Sequence, residues 1–182
     1  AVMGQNWDWA DSIEPLTKIM HITLQDGHQI LTMTEPGILG KVGMNSAGIG
    51  VGLNFIPGTS AGGTGLPVHL LLRRCLDAHS FSEIKDMIYE MQSEGLLNTM
   101  SSISIMDRNG EAAVYEILGS QIMQIKDGKD RTFAHTNHPV MSPAGYGTED
   151  LDDSLTRIKD ASEMAQKGPV TVPALKKILA DR

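Results

Sequence analysis

Tight turns inside blocks of β-rich sequence restrict the fold more than any other feature of this chain. Residues 18–34 hold two β-rich runs around Asp26-Gly27, a dipeptide suited to the positive φ angles of a hairpin turn. Residues 37–55 continue with short apolar pieces broken at Asn45-Ser46-Ala47-Gly48, which predicts a second pair of strands meeting at a turn. Turns this short join antiparallel neighbours, because a parallel pair needs a crossover of roughly a dozen residues or more. Val51, Leu53 and Phe55 alternate with Gly52 and Asn54. Glycines at 48, 50 and 52 leave one face of that strand bare, the mark of a close approach by another backbone or a ligand.

A loop rich in Gly, Thr and Ser at 58–65 leads to Pro67, which fits the first turn of a helix because its missing N–H is not needed there. Val68, Leu71, Leu72, Cys75 and Leu76 follow at helical spacing. Ser80 and Glu83 form a capping box for a second helix, with Phe81, Ile84, Met87, Ile88 and Met91 along one side and Gly95 as its stop. Strands are predicted again at 101–106, 112–118, 121–126 and 132–136, with a turn at Asp107-Arg108-Asn109-Gly110. Leu151, Leu155 and Ile158 then mark one helix, and Leu175, Ile178 and Leu179 another after Pro173. Strands, two helices, strands and helices in that order predict an α+β fold of antiparallel strands with segregated helices, not a doubly wound parallel sheet. There is no internal repeat and no domain boundary. Residues 1–182 are read as a single domain, with 139–148 its most linker-like part.

Composition removes several classes of function. The 182 residues are 41% hydrophobic and 20% charged, the profile of a globular domain that buries roughly 70% of its unfolded surface. Fifteen basic against twenty-two acidic residues give a net charge of −7, so no broad basic surface for nucleic acid or anionic lipid is expected. The start carries no signal-like apolar run and no stretch approaches the ~20 residues that span a bilayer, which predicts a cytoplasmic protein without membrane contact. The one cysteine, Cys75, cannot form an internal disulfide. It lies on the apolar stripe of the first helix, where a thiol is inert packing rather than a nucleophile.

His135-Thr136-Asn137-His138 looks like a metal pair, but residues three apart on a strand face opposite ways and the other histidines are scattered. The loop at 58–65 has neither phosphate-loop nor dinucleotide spacing. Gly4-Gln5-Asn6-Trp7-Asp8-Trp9 combines directed polar groups with two bulky indoles, and as a strand it would set Asn6 and Asp8 on one face. Both a structural and a functional role fit it. Asn54 and Asn137 are similar: polar residues in apolar, strand-like runs, each able to aim an amide at a ligand.

Taken together, Gly4-Gln5-Asn6-Trp7-Asp8-Trp9, the run Thr34-Glu35-Pro36-Gly37-Ile38-Leu39-Gly40-Lys41-Val42-Gly43-Met44-Asn45-Ser46-Ala47-Gly48, Pro67-Val68-His69 and His135-Thr136-Asn137-His138-Pro139 resemble the acyl-coenzyme A:6-aminopenicillanic acid acyltransferase family. Gly52-Leu53-Asn54-Phe55 resembles the matching stretch of bile salt hydrolases and penicillin V acylases. The resemblance implies an N-terminal nucleophile (Ntn) hydrolase, an αββα four-layer sandwich of antiparallel sheets. It implies self-cleavage before a Cys whose freed amine serves as base, an acyl-enzyme on its thiol, and passage of the acyl group to an amine or water. Small amides, β-lactams, acyl amino acids or an acyl-CoA are the implied substrates, with no cofactor and no metal. By motif position Asn137 matches the oxyanion-hole Asn, Asn54 the Asn that assists it, and Asp8 the carboxylate that orients the nucleophile's amino group. Trp7, Trp9, Phe55 and the loop at 57–66 are implied pocket walls.

The chain departs from that family at both ends. The nucleophile belongs before Gly4, and this sequence starts at Ala1; the family's active-site Arg lies beyond the last helix. The expectation is therefore the interior of a catalytic domain, incomplete at both ends and inactive by itself, whose partners include the N-terminal and C-terminal segments of its own precursor. The alternatives are a non-catalytic small-molecule-binding protein of the same fold and a scaffold. The scaffold needs an exposed apolar patch, for which Met87 and Met91 are candidates.

Overall fold

Seven strands run through one antiparallel sheet in the order of the sequence: β1 (Lys18–Thr23), β2 (Gln29–Thr34), β3 (Val42–Asn45), β4 (Gly50–Phe55), β5 (Thr99–Met106), β6 (Ala112–Gly119) and β7 (Gln121–Ile125). The computed structural model describes residues 2–58, 64–125, 132–141 and 151–181. Gly27 (φ 86°) and Gly48 (φ 89°) supply the left-handed conformations that close the first and third connections. Both predicted turns are therefore present.

Between β4 and β5 the chain forms α1 (Val68–Asp77) and α2 (Phe81–Ser93). Register places Val51 opposite Ile105, Leu53 opposite Ile103, and Ile103 opposite Tyr115, all on one face of the sheet. These side chains are buried against Leu71, Leu72, Cys75 and Leu76 of α1 and Ile84, Met87, Ile88 and Met91 of α2. The methionines are core residues and supply no exposed patch. Ser80 Oγ accepts from the Glu83 N–H at 3.1 Å, half of the expected box, while the Glu83 carboxylate accepts from the His79 N–H at 2.8 Å, one residue further out.

The opposite face carries Gly50, Gly52 and Asn54 of β4, with Ser102 and Glu116 in register with Asn54 across β5 and β6. Here the N-terminal segment lies directly on the sheet. A Cβ on Gly52 would come within 2.7 Å of Met3 Cε and 3.0 Å of Gln5 Oε1. Beyond Val51, β4 has lost β3 as a neighbour, and the Gln5 amide takes its place. Gln5 Oε1 accepts from the Leu53 N–H at 2.9 Å, and its Nε2 donates to the Leu53 carbonyl. Helix α4 (Val172–Leu179) closes over this segment, with Leu175 and Leu179 against Gly4 and the Leu179 carbonyl accepting from Asn6 Nδ2 at 2.7 Å. Helix α3 (Leu151–Gln166) packs on α4.

Two expectations need correction. Residues 4–9 are not a strand, although Met3, Gln5 and Trp7 alternate with more exposed neighbours as a strand would; Gln5 bonds the sheet through its side chain, so no backbone ladder forms. Residues 132–136 are irregular chain, because side chains of the segment bond Glu116 and α3 in place of a neighbouring strand. Among the described residues there is one β layer, with helices α1 and α2 on one face and the N-terminal segment on the other. The loop at 59–63 and most of 139–148 lie outside the described residues. No described helix is long and apolar enough to cross a membrane.

Burial pushes the Cys75 thiol up to about 12, leaving it protonated as well as inaccessible. In the native protein Cys75 is expected to resist iodoacetamide at about pH 8 and to label only on unfolding in urea, as read by peptide mass mapping. Labelling at the rate of a free thiol would show that α1 does not pack as described.

Candidate active site

An aromatic chain runs from the N-terminal segment to the end of β4. Trp7 stacks on Trp9 with ring centroids 6.1 Å apart, and Trp9 meets Phe55 edge-on at 6.0 Å. Trp7 packs on the core, whereas Trp9 and Phe55 are exposed. Beneath Trp7 lies a buried ion pair made from the two ends of the Glu35-to-Lys41 turn. Lys41 Nζ donates to both Glu35 carboxylate oxygens, at 2.7 and 2.8 Å, and sits 3.7 Å from the centroid of the Trp7 ring. Each buried charge is thus matched, and the indole face takes the cation's remaining side. Burial and then the Lys41 charge hold the nearby His69 below its usual range.

At the same end of β4, Asn137 Nδ2 donates to the Phe55 carbonyl at 2.8 Å and Asn137 Oδ1 accepts from Arg157 Nη2 of α3 at 3.0 Å. A carbonyl on one side and a guanidinium on the other both demand this amide orientation. Asn137 Nδ2 keeps a second N–H. The backbone of Asn137 is fixed as well, its N–H donating to Ser154 Oγ at 2.8 Å, and the same hydroxyl meets His138 Nδ1 at 2.8 Å.

Glu116 is fully buried in β6. His135 Nε2 donates to its Oε1 at 2.8 Å, and the backbone N–H groups of Val140 and Met141 donate to its two oxygens. Burial pushes this carboxyl up, but the bonds from His135, Val140 and Met141 outweigh burial and hold it below the usual carboxylate range. Burial, followed by the charges of His135 and Arg157, likewise holds His138 below its usual range against the opposing pull of Glu116. Both histidines of the 135–138 motif are therefore engaged in hydrogen bonds. Among the described residues no group of three acidic, His or Cys side chains is placed to hold a metal ion.

Of the residues singled out from sequence, Trp7, Trp9, Phe55 and Asn137 meet at the end of β4, while the Asn54 side chain lies on the other face of that strand. Trp7, Trp9 and Phe55 are in ring contact, Asn54 precedes Phe55, and Asn137 bonds the Phe55 carbonyl. Asp8, between the two indoles, is exposed and makes no hydrogen bond or ion pair among the described residues. The Asn54 and Asn137 amides do not bond each other. Sequence reasoning passed over Glu116 and Arg157, and gave Gln5 no role of its own. Glu116 had a readable signal, an acid in the middle of the apolar run 112–118; Arg157, on a helix face with ordinary charge spacing, had none.

The class of protein is shown first by the fold. A variant of conjugated bile acid hydrolase from Clostridium perfringens superposes with a TM-score of 0.56 at 18% identity, over 84% of this chain and 63% of that one. Penicillin V acylase from Agrobacterium tumefaciens does so at 0.53 and 16%, over 84% and 55%. The fold is that of the Ntn hydrolases. The family follows from sequence: the model of acyl-coenzyme A:6-aminopenicillanic acid acyl-transferase matches residues 1–182. The acyl-coenzyme A:6-aminopenicillanic-acid-acyltransferase 40 kDa form of Emericella nidulans is 36% identical over 163 residues, which is 86% of this chain and 43% of that protein. The chain belongs to this acyltransferase family and spans less than half the length of that relative.

Two measurements test the electrostatics. Glu116 and His138 both bind fewer protons folded than unfolded, so each adds stability at high pH that is lost as pH falls. Thermal melts should show the loss beginning below about 6.5 as His138 titrates and continuing below about 4.3 as Glu116 does, and Glu116→Gln should flatten the second part. A melting temperature level across that range would contradict the assignment. Separately, Lys41→Met should cost about 3–5 kcal/mol in urea unfolding by leaving Glu35 buried and unpaired, with a Lys41→Met/Glu35→Leu double variant regaining most of it.

Proposed function

We propose that these residues form the catalytic core of a cysteine Ntn acyltransferase or amidase, whose nucleophile is a cysteine preceding Gly4 in the full-length precursor. The observation that carries this reading is the meeting of Trp7, Trp9, Phe55 and Asn137 at the end of β4, with one Asn137 N–H unbonded among the described residues. Cys75 is the wrong thiol for the role, being buried on α1 with its proton firmly held. The 182 residues alone are accordingly inactive in this reading.

Self-cleavage before the cysteine frees an α-amino group, whose ordinary pKa of about 8 suits it to take the thiol proton near neutral pH. Asp8, exposed and without a partner among the described residues, would orient that ammonium through its carboxylate. The thiolate attacks the carbonyl carbon of an amide or thioester, a C–S bond forms, and the carbonyl electron pair moves onto oxygen. The spare Asn137 N–H and the Asn54 amide stabilise that oxyanion, each such donor contributing roughly 3 kcal/mol to barrier lowering. Collapse expels the amine, which takes the proton from the ammonium, or the thiolate of coenzyme A. Water or an acceptor amine then attacks the acyl-enzyme and releases the nucleophile. Trp9 and Phe55 offer an apolar wall to the acyl group, with small amides, β-lactams, acyl amino acids or an acyl-CoA as the substrate classes.

The test uses the full-length precursor. Intact mass should show cleavage before a Cys and then an acetyl adduct on it after exposure to p-nitrophenyl acetate, with p-nitrophenolate released. Asn137→Ala should slow acylation about 100- to 1,000-fold while cleaved protein still accumulates. A precursor that neither cleaves nor acylates would replace this reading with that of a binding protein on the same fold.

A further inference from the structure

We propose that Glu116 is a positioning residue for Asn137, clamping the irregular segment 135–141 onto the sheet so that the Asn137 amide faces the end of β4; the role rests on the oxyanion reading of Asn137. Among the described residues, every hydrogen bond Glu116 makes goes to this segment. His135 Nε2 donates at 2.8 Å, and the Val140 and Met141 N–H groups donate to Oε1 and Oε2. These donors lie two residues before Asn137 and three and four after it, so both flanks are tied to one carboxylate. The segment has no strand ladder to hold it, and Ser154 on α3 fixes only its helix side, through the Asn137 N–H and Thr136 Oγ1. Glu116 supplies the sheet side.

The neighbours of Glu116 on β6 do not call for a charge. Its sequence neighbours Tyr115 and Ile117 are buried in the apolar core, and Val114 and Leu118, on its own face of β6, are buried and apolar. An ionised carboxylate kept at 0% exposure is tolerated only where it is fully hydrogen-bonded, and here the segment carrying Asn137 provides the bonds. The row Asn54, Ser102, Glu116 runs straight across three strands, so the clamp is anchored in register with the second proposed oxyanion donor. Ser102 Oγ, fully buried between them, has no hydrogen-bond partner among the described residues.

A double-variant cycle on the full-length precursor separates positioning from a general structural role. Acylation by p-nitrophenyl acetate is measured for wild type, Glu116→Gln, Asn137→Ala and the double variant, with melting temperatures taken for each. Glu116→Gln is expected to lower kcat about 10- to 100-fold with KM within about twofold, the scale of a misplaced catalytic group. In the Asn137→Ala background the same change should cost less than about twofold, because the group it positions is already gone. Full multiplication of the two losses, or wild-type kcat in a folded Glu116→Gln, would overturn the proposal and leave the acyl-enzyme reading standing. If Glu116→Gln does not fold, His135→Phe removes one arm of the clamp and must show the same non-additive loss. A wild-type precursor that forms no adduct would instead remove the acyl-enzyme reading, and the positioning role with it.

Discussion

The missing side chains of Gly50 and Gly52 are the constraint on which the rest of the arrangement depends. A methyl group at Gly52 would collide with Met3 and Gln5, so the N-terminal segment lies on the sheet only because β4 is bare there. Once seated, Gln5 replaces the neighbour that β3 no longer provides at Leu53. Two residues on, Trp7 reaches the buried Lys41–Glu35 pair, and Trp9 follows onto Phe55. A larger residue at 52 would displace the segment and with it Asp8 and both indoles, although none of them touches Gly52. Backbone approach at β4 thus sets the geometry several residues away.

The two faces of the sheet obey different chemistry. Under α1 and α2 the face is apolar, and its stability follows from burial of branched and thioether side chains. On the other face, polar groups are buried and must be paired, so their partners dictate where chain can lie. Glu116 needs donors and receives them from 135–141; Ser154 takes the Asn137 and His138 contacts from α3. An irregular segment can be as well defined as a strand when it is held by a buried carboxylate. That is how a motif with no regular secondary structure comes to fix an amide beside β4.

Much of the β architecture was legible because its signals are local. Asp26-Gly27 and Gly48 mark turns through φ angles that few residues adopt, and alternation in β4 separates a core face from a bare one. The bare face was read as an approach surface, and Met3 and Gln5 occupy it. The segment 132–136 misled because its strand-like composition reflects burial, whereas the bonds that hold it in place run to Glu116 and Ser154, 19 and 18 positions away in the chain. The Glu35–Lys41 pair was visible as residues but not as a pair, since charge spacing in a loop carries no direction. Asn54, Asn137 and Asp8 drew attention as polar residues in strand-like sequence; their proposed roles came from resemblance, and the fold adds the bond from Asn137 to the Phe55 carbonyl.

The state of the Asn137 amide bears on whether the site is built for chemistry or for binding. Its carbonyl oxygen accepts from the Arg157 guanidinium, a charge-assisted bond that draws electron density away from Nδ2 and strengthens the remaining N–H as a donor. A neutral ligand carbonyl gains little from such a donor, but an oxygen acquiring full negative charge gains a great deal, because the interaction grows with the charge that develops. Arg157 is itself partly balanced by Asp153, at 2.7 Å, so its field at the site is local rather than a general attraction for anions. Holding a polarised donor rigidly costs ordering free energy whether or not substrate is present. In the proposed reaction that cost is offset in the step where charge develops on an oxygen facing the end of β4.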